Sequence, residues 1–429
     1  MLALADVLFL LCATAAVALA NGLYRLRRRQ QAQASAATKQ AVDPLAFFAS
    51  PEPCTSVTPD NLATYPGARD HIYVNRVLRH PYHQVMGHQP MQSNDWIEVD
   101  ANYVGDLRKK AELIATQGKV VLDVVDDAAV RLGCQELMEH VSSWLTVRYP
   151  ALFQWADGGK RAIHNLVTGL TLDLYHGHFS RKASHKEGGH GTLKDGADAL
   201  LVVSQLVQDD FLIGSPLPDG HWLCAGGIVA FPGFYLLSDK IGTTLMQTHD
   251  PVPQFNEKLL FSVERTLTRL EPTKPIERTS WEIVDSEEDQ FWVPMAGPLP
   301  TGSGAKPTAP HHLTGRAEDA SATEDASQLV LRLDHQTFVK MPKSRIVFFG
   351  VHPFRRRLEQ LRGSPLLPRL LLDIHEHAPA DLMKYKGAPL YQASVLPFLR
   401  TLDQWQRDHG LVQGGERSQD FRLYKGNHL

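Results

Sequence analysis

The sequence predicts an α+β protein, an antiparallel sheet with flanking helices, preceded by a single N-terminal transmembrane helix. Three observations carry that prediction. Helix-period and strand-period segments come in blocks (helices, two strands, helices, three strands, a helix) without the βαβα rhythm of a parallel sheet. The chain opens on an apolar run, VLFLLCATAAVALA at residues 7–20, followed at once by Arg25, Arg27, Arg28 and Arg29. With 43% hydrophobic and 21% charged residues, the 429-residue chain is rich enough in apolar side chains to bury a real core.

The first element is the anchor, residues 1–24. Counting its edges, the apolar stretch reaches the length a spanning helix needs. A cleaved signal peptide competes with this reading, because AVALA before Asn21 resembles a cleavage site. The charge order favours the anchor: Asp6 stands where a basic residue would precede the apolar run, and the arginines follow it. Positive charge stays on the cytosolic side, so the rest of the chain is expected there, with the endoplasmic reticulum as the expected membrane of a signal anchor. Residues 25–60, rich in Gln, Ala, Ser and Arg near their start, read as a basic flexible tether.

Residues 61–410 are expected to form the domain. Leu107, Ala111 and Ile114 share one helical face. Val121, Val124, Val125, Ala128 and Leu132 repeat at helix spacing, as do Leu137, Val141, Trp144 and Leu145, up to Tyr149-Pro150. LLVVSQLVQDDFLIG and HWLCAGGIVAF read as strands on either side of a Pro/Asp/Gly turn. SDKIGTTLMQTH and PQFNEKLLFSVERTLTRL read as helices. RTSWEIVDS, QLVLRLDHQTFVKM and SRIVFFGVHPF then read as strands, and SPLLPRLLLDIHEHAPADLMKYKG as a closing helix. The Gly-, Pro-, Thr- and acid-rich stretch 297–327 supplies no core and reads as a disordered insertion. Residues 411–429 read as a tail. The predicted sheet carries its helices on one side.

Several function classes fall away. A net charge of -3 and the lack of any nucleic-acid-binding signature argue against nucleic acid as a partner. Cys12, Cys54, Cys134 and Cys224 are widely spaced and form no C-x-x-C pair. There is no G-x-G-x-x-G after a strand, no P-loop and no G-x-S-x-G elbow. His176, His178, His185 and His190 fit no zinc spacing and read as a solvated loop. In His375-Glu376-His377 the histidines lie two apart and point to different helix faces, unlike H-E-x-x-H. His80 and His83 read as surface or core-edge residues. Asp209-Asp210 reads as a cap or turn before a paired-carboxylate site. Asp334-His335 and Lys343-Arg345 lie on consecutive strands and could frame a polar pocket, which spacing alone does not decide. His249 ends an apolar helical run and precedes Asp250-Pro251-Val252-Pro253. A helix C-cap facing the dipole and an axial ligand to a haem iron both account for it.

Several stretches taken together resemble a known family. They are MGHQPMQSNDWIEVDANYVGDLRKK (86–110), VRYPALF (147–153), SQLVQDDFLIG (204–214), AFPGFYLLSDKIGTTLMQTHDPVPQF (230–255), the pair Arg278 and Trp281, and LRLDHQTFVKMPKSRIVFFGVHPF (331–354). Over roughly residues 65 to 400 the chain is similar to the haem-dependent oxidative N-demethylase alpha-subunit-like proteins, including the fungal HRQ family proteins. The resemblance implies a PAS-like haem-binding domain, haem b as cofactor, and activation of O₂ to oxidise a small-molecule amine with release of formaldehyde. It also implies an electron-donating reductase acting in trans, since no flavin, NADPH or iron–sulfur segment is present.

By the same resemblance His249 is the proximal ligand, in an I-H-x-P-V-P-like setting. Lys240 and Gly242 match an E-K-x-G-like motif in which Asp239 replaces the glutamate. Arg278 and Trp281 match R-x-x-W, and Arg278 suits either a haem propionate or a structural ion pair. Asp334, His335 and Gln336 are the implied distal, catalytic group; His335 stands where the family commonly has arginine. Met86-Gly87-His88 departs from M-G-L. Two further readings stand beside the oxidase: a haem-binding sensor or carrier without turnover, and a haem-free tethered interaction protein.

Overall fold

The computed structural model of the chain describes residues 43, 45–156, 158–175, 179–181, 184–188, 196–296 and 325–424. The expected transmembrane helix lies outside these residues. Among the described residues no helix is long and apolar enough to cross a membrane.

In chain order the strands are β1 (Gln89–Pro90), β2 (Leu122–Val124), β3 (Phe153–Trp155), β4 (Ala162–Asn165), β5 (Leu170–Asp173), β6 (Phe179–Arg181), β7 (Ser184–Gly188), β8 (Asp210–Pro216), β9 (Trp222–Ile228), β10 (Ile276–Val284), β11 (Val330–Lys340) and β12 (Val347–Arg357). The main helices are α1 (Tyr103–Gln117), α2 (Ala128–Arg148), α3 (Gly196–Ser204), α4 (Leu237–Lys240), α5 (Leu245–Thr248), α6 (Phe255–Lys258), α7 (Leu260–Arg269), α8 (Leu367–His377), α9 (Ala380–Tyr385) and α10 (Ala388–Asp408).

Seven strands form one antiparallel sheet in the order β1-β10-β11-β12-β8-β9-β2. Its central five run β9-β8-β12-β11-β10, with α4 to α7 inserted between β9 and β10. A separate meander of β3 to β7 forms a five-stranded sheet. The mixed, antiparallel α+β class matches the expectation. Helices cover both faces of the large sheet, however, and not one side alone. Phe211, Ile213, Val339 and Phe348 pack against α1, α2 and α3 on the back, while Val347 packs against Val263 and Leu267 of α7 on the front.

Several boundaries differ from the sequence reading. Residues 47–60 are no tether: Phe47, Phe48, Cys54 and Val57 are buried, and both Phe rings meet Trp96 edge-on. Val121 to Val125 do not extend a helix, because β2 takes Leu122–Val124 and Asp127 caps α2 through the amides of Ala129 and Val130. The first third of LLVVSQLVQDDFLIG is helical, within α3, and only its last third is strand. An apolar run buried on every side carries no period that separates helix from strand. Most of the 297–327 insertion lies outside the described residues, but its last residues join an ordered turn, Ala326–Gln328, capped by Asp325. The tail is packed as far as it is described, with Val412 and Phe421 buried.

Candidate functional site

Between the front of the sheet and α4 to α7 lies a cavity of about 330 Å³. Strand alternation decides which residues line it. On β10 these are Arg278, Ser280 and Glu282; on β11 they are Arg332, Asp334, Gln336 and Phe338. The register pairs Arg278 with Gln336, Ser280 with Asp334 and Glu282 with Arg332, so polar groups form a ladder along one face. Gln336 Nε2 donates to Ser280 Oγ (3.1 Å), Ser280 Oγ donates to Asp334 Oδ2 (3.4 Å), and Arg332 Nε donates to Asp334 Oδ1 (2.8 Å). Leu212, Val347, Phe349 and Val263 supply apolar wall.

Glu282 lies 3.5 Å from Arg332, and its Oε1 has no hydrogen-bond partner. Burial pushes its carboxyl up to about 7; Arg332 opposes this and the Asp334 carboxylate adds to it. Arg278 is walled in by protein and makes no hydrogen bond or ion pair among the described residues, its Nε being buried without a partner. Burial lowers its pKa, with Tyr82 and Tyr385 acting the other way. A guanidinium held in this way lacks the anion it is built to grip.

His249 reaches the cavity from the end of α5. Thr244 opens that turn with a capping box: its Oγ1 accepts from the Gln247 amide, and Gln247 Oε1 accepts from the Thr244 amide. Thr244 also bridges Leu223 of β9, which fixes the turn over the sheet. His249 Nδ1 donates to the Leu245 carbonyl (2.9 Å), and the ring stacks on Phe255 with centroids 4.0 Å apart. The proton is therefore committed to Nδ1, which leaves the Nε2 lone pair available. Burial, helped by Lys240 and Arg278, holds the ring's pKa down at about 4, so the imidazole is neutral near pH 7. Lys240 lines the same cavity and donates to the Thr248 carbonyl (2.8 Å), closing the turn one residue before His249.

The structure thus brings His249, Lys240, Arg278, Asp334 and Gln336 to one cavity. His335 is not among them. It is the odd residue of the Asp334-His335-Gln336 run, so it faces the back of the sheet, where Nε2 contacts Glu277 Oε2 at 2.8 Å. Trp281 is buried on that back face for the same reason. Lys343 and Arg345 are exposed in the turn between β11 and β12 and frame no pocket with Asp334.

Asp209 and Asp210 are buried in polar networks and are neither cap nor surface turn. Asp210 Oδ2 accepts from the Phe231 amide (2.6 Å) and Oδ1 lies 3.2 Å from Lys110 Nζ. Asp209 lies 3.2 Å from His352. Burial works against a charged His352 ring, but Asp209 and Asp100 outweigh it and push its pKa up to about 10. Met86 lines the cavity, while His88 is exposed. The side chains of His176, His178, His185 and His190 lie outside the described residues.

Glu282, Arg332 and Ser280 escaped the sequence reading. Their signal is the cross-strand register, which becomes visible once Arg278 and Asp334 are both placed on the cavity face.

The fold and site are those of an α+β protein whose antiparallel sheet and roof of short helices enclose a cavity holding a neutral histidine and an arginine without an anion among the described residues. The model of the family described as "Haem-dependent oxidative N-demethylase, alpha subunit-like" matches residues 87–396, and the chain belongs to that family. The residues present fit a haem. An imidazole nitrogen without a partner can ligate iron, and the orphaned Arg278 guanidinium suits a propionate.

Proposed function

We propose that the chain is a haem b-dependent oxidase or monooxygenase that demethylates a small amine, fed with electrons by a reductase in trans. The observation that carries this reading is the pairing, in one cavity, of a neutral His249 with an open Nε2 and an Arg278 with no anion. Haem bound there would supply O₂ binding and electron transfer. Sheet order adds support: β9-β8-β12-β11-β10, with the helices inserted after the second strand, is the connectivity expected of a PAS-like haem domain.

The protein's own groups then divide the remaining work. His249 would hold the cofactor from α5, and Lys240 keeps that turn closed. Arg278 would fix its acidic edge. Asp334, held by Arg332 and Ser280, presents fixed negative charge to a cationic amine. Glu282, with its carboxyl near pH 7, is suited to accept the ammonium proton, because only the free amine has a lone pair to lose an electron from. Oxygen from O₂ leaves partly as water and partly in formaldehyde, with electrons and further protons arriving from the partner. We place the chain on the cytosolic face of a membrane, the endoplasmic reticulum in the first instance. The apolar run at 7–20 and the arginines behind it support that placement.

The test is formaldehyde release from secondary amines by haem-loaded protein supplied with O₂ and a reductant. Deprotonated Glu282 is the working form, so the rate is expected to rise with pH through about 7. In Glu282→Gln that limb disappears and the rate falls roughly 100-fold, the usual scale for loss of a positioned base. An unchanged pH profile in Glu282→Gln would remove the residue from the reaction.

A further inference from the structure

The back face of the sheet carries a second cluster, which the cavity does not use. His71 comes from the helical turn His71–Val74, Glu98 from the loop ahead of α1, and His335 from the middle of β11. All three are buried, at 2%, 1% and 1% exposure. One ligand atom from each lies within 4.8 Å of the other two. The two imidazole rings are 4.4 Å apart, and His71 Nε2 lies 2.8 Å from Glu98 Oε1.

We propose that His71, Glu98 and His335 hold a divalent transition-metal ion, distinct from any iron in the cavity, that fastens the N-terminal segment to the back of the sheet. Three observations carry the assignment. First, Glu98 Oε2 and His335 Nδ1 are buried without any hydrogen-bond partner, beside the His71 Nε2 that faces Glu98. Orphaned polar atoms of this kind are costly and rarely cluster by accident. Second, no lysine or arginine among the described residues pairs with Glu98, Arg69 being committed to Glu277 and Asp95. A buried carboxylate is normally either paired or coordinated to a metal. Third, His335 already has the support a metal-binding histidine uses. With Nε2–H given to Glu277, its Nδ1 is left as the electron-pair donor, in the carboxylate–histidine–metal arrangement.

Two imidazoles and a carboxylate, with no thiolate among them, suit Zn(II) or Fe(II) and not Ca(II) or Mg(II). The ligands are closed off from solvent, so the ion enters during folding and its binding energy contributes to the fold.

The experiment uses the full chain, refolded from denaturant with excess Zn(II) and then gel-filtered. Metal content is read by elemental analysis, and haem is quantified separately. The expected result is about one equivalent of Zn(II) per chain, retained in chelator under native conditions. In Glu98→Gln and His335→Asn the zinc falls at least about 10-fold, the scale on which ligand loss acts, while circular dichroism and haem uptake persist. Wild-type protein holding less than about a tenth of an equivalent overturns the proposal, whatever the variants do. So do folded variants that keep as much zinc as wild type.

Discussion

Arg278 shows how much a single position can carry. Strand alternation turns it into the cavity, and its register partner Gln336 offers it no charge. The haem-free protein therefore bears the cost of a half-buried cation with no anion among the described residues. Arg278→Gln is expected to raise the melting temperature of the haem-free protein while weakening haem binding by roughly 10- to 100-fold, the worth of one charge-assisted contact. Thermal denaturation and haem titration read the two effects separately; unchanged haem affinity would show that Arg278 grips nothing. At this scale the sequence was informative where a motif fixed one residue and silent where two strands had to be aligned. His249, Lys240, Arg278, Asp334 and Gln336 were reached from motifs. Glu282 and Arg332 join the candidate site only as register partners on β10 and β11. His335 sits between two cavity residues in sequence, yet the pleat turns it away.

Among the elements, β9 depends most on backbone shape. Gly226 has φ +129°, and a Cβ there would lie 2.3 Å from the Asp123 carbonyl oxygen of β2. The close approach lets β2 pair with β9 through Val124 and Gly226 and finish the edge of the sheet. Gly226→Ala is expected to cost more than ~3 kcal/mol, from clash and strain together. A methyl group on Gly105 in α1 would meet nothing within 4 Å, so Gly105→Ala should instead gain about 0.5 kcal/mol. Chemical denaturation of the two variants separates the cases, and equal stabilities would refute the close-packing account. Element type was legible wherever alternation was clean, as in β10, β11 and β12. It failed at α3, where apolar residues face every direction, and it assigned no element to α10, which carries Pro397 inside a helix that continues through it.

At the scale of the whole molecule, the fold reaches further toward both ends than the composition suggested. Phe47 and Phe48 close over Trp96, Phe48 stacks on His140, and Arg148 donates to the Glu52 carbonyl. Few apolar residues do this work, and the polar stretch that surrounds them hides the signal. A chain beginning at residue 61 is expected to lose cooperative unfolding. Each buried Phe is worth about 3–5 kcal/mol, and the total stability of a domain is only about 5–15 kcal/mol. A truncated protein that melts at the wild-type temperature would return residues 47–60 to the role of a linker.

The central claim is that His249 holds a haem in the cavity between the sheet and α5. The most direct measurement is the absorption spectrum of haem-supplied protein, oxidised and then reduced under CO, beside that of His249→Ala. The account predicts a Soret band that shifts on reduction with CO in the wild type and is lost or displaced in the variant. A wild type that retains no haem, or a variant with an identical spectrum, would contradict it.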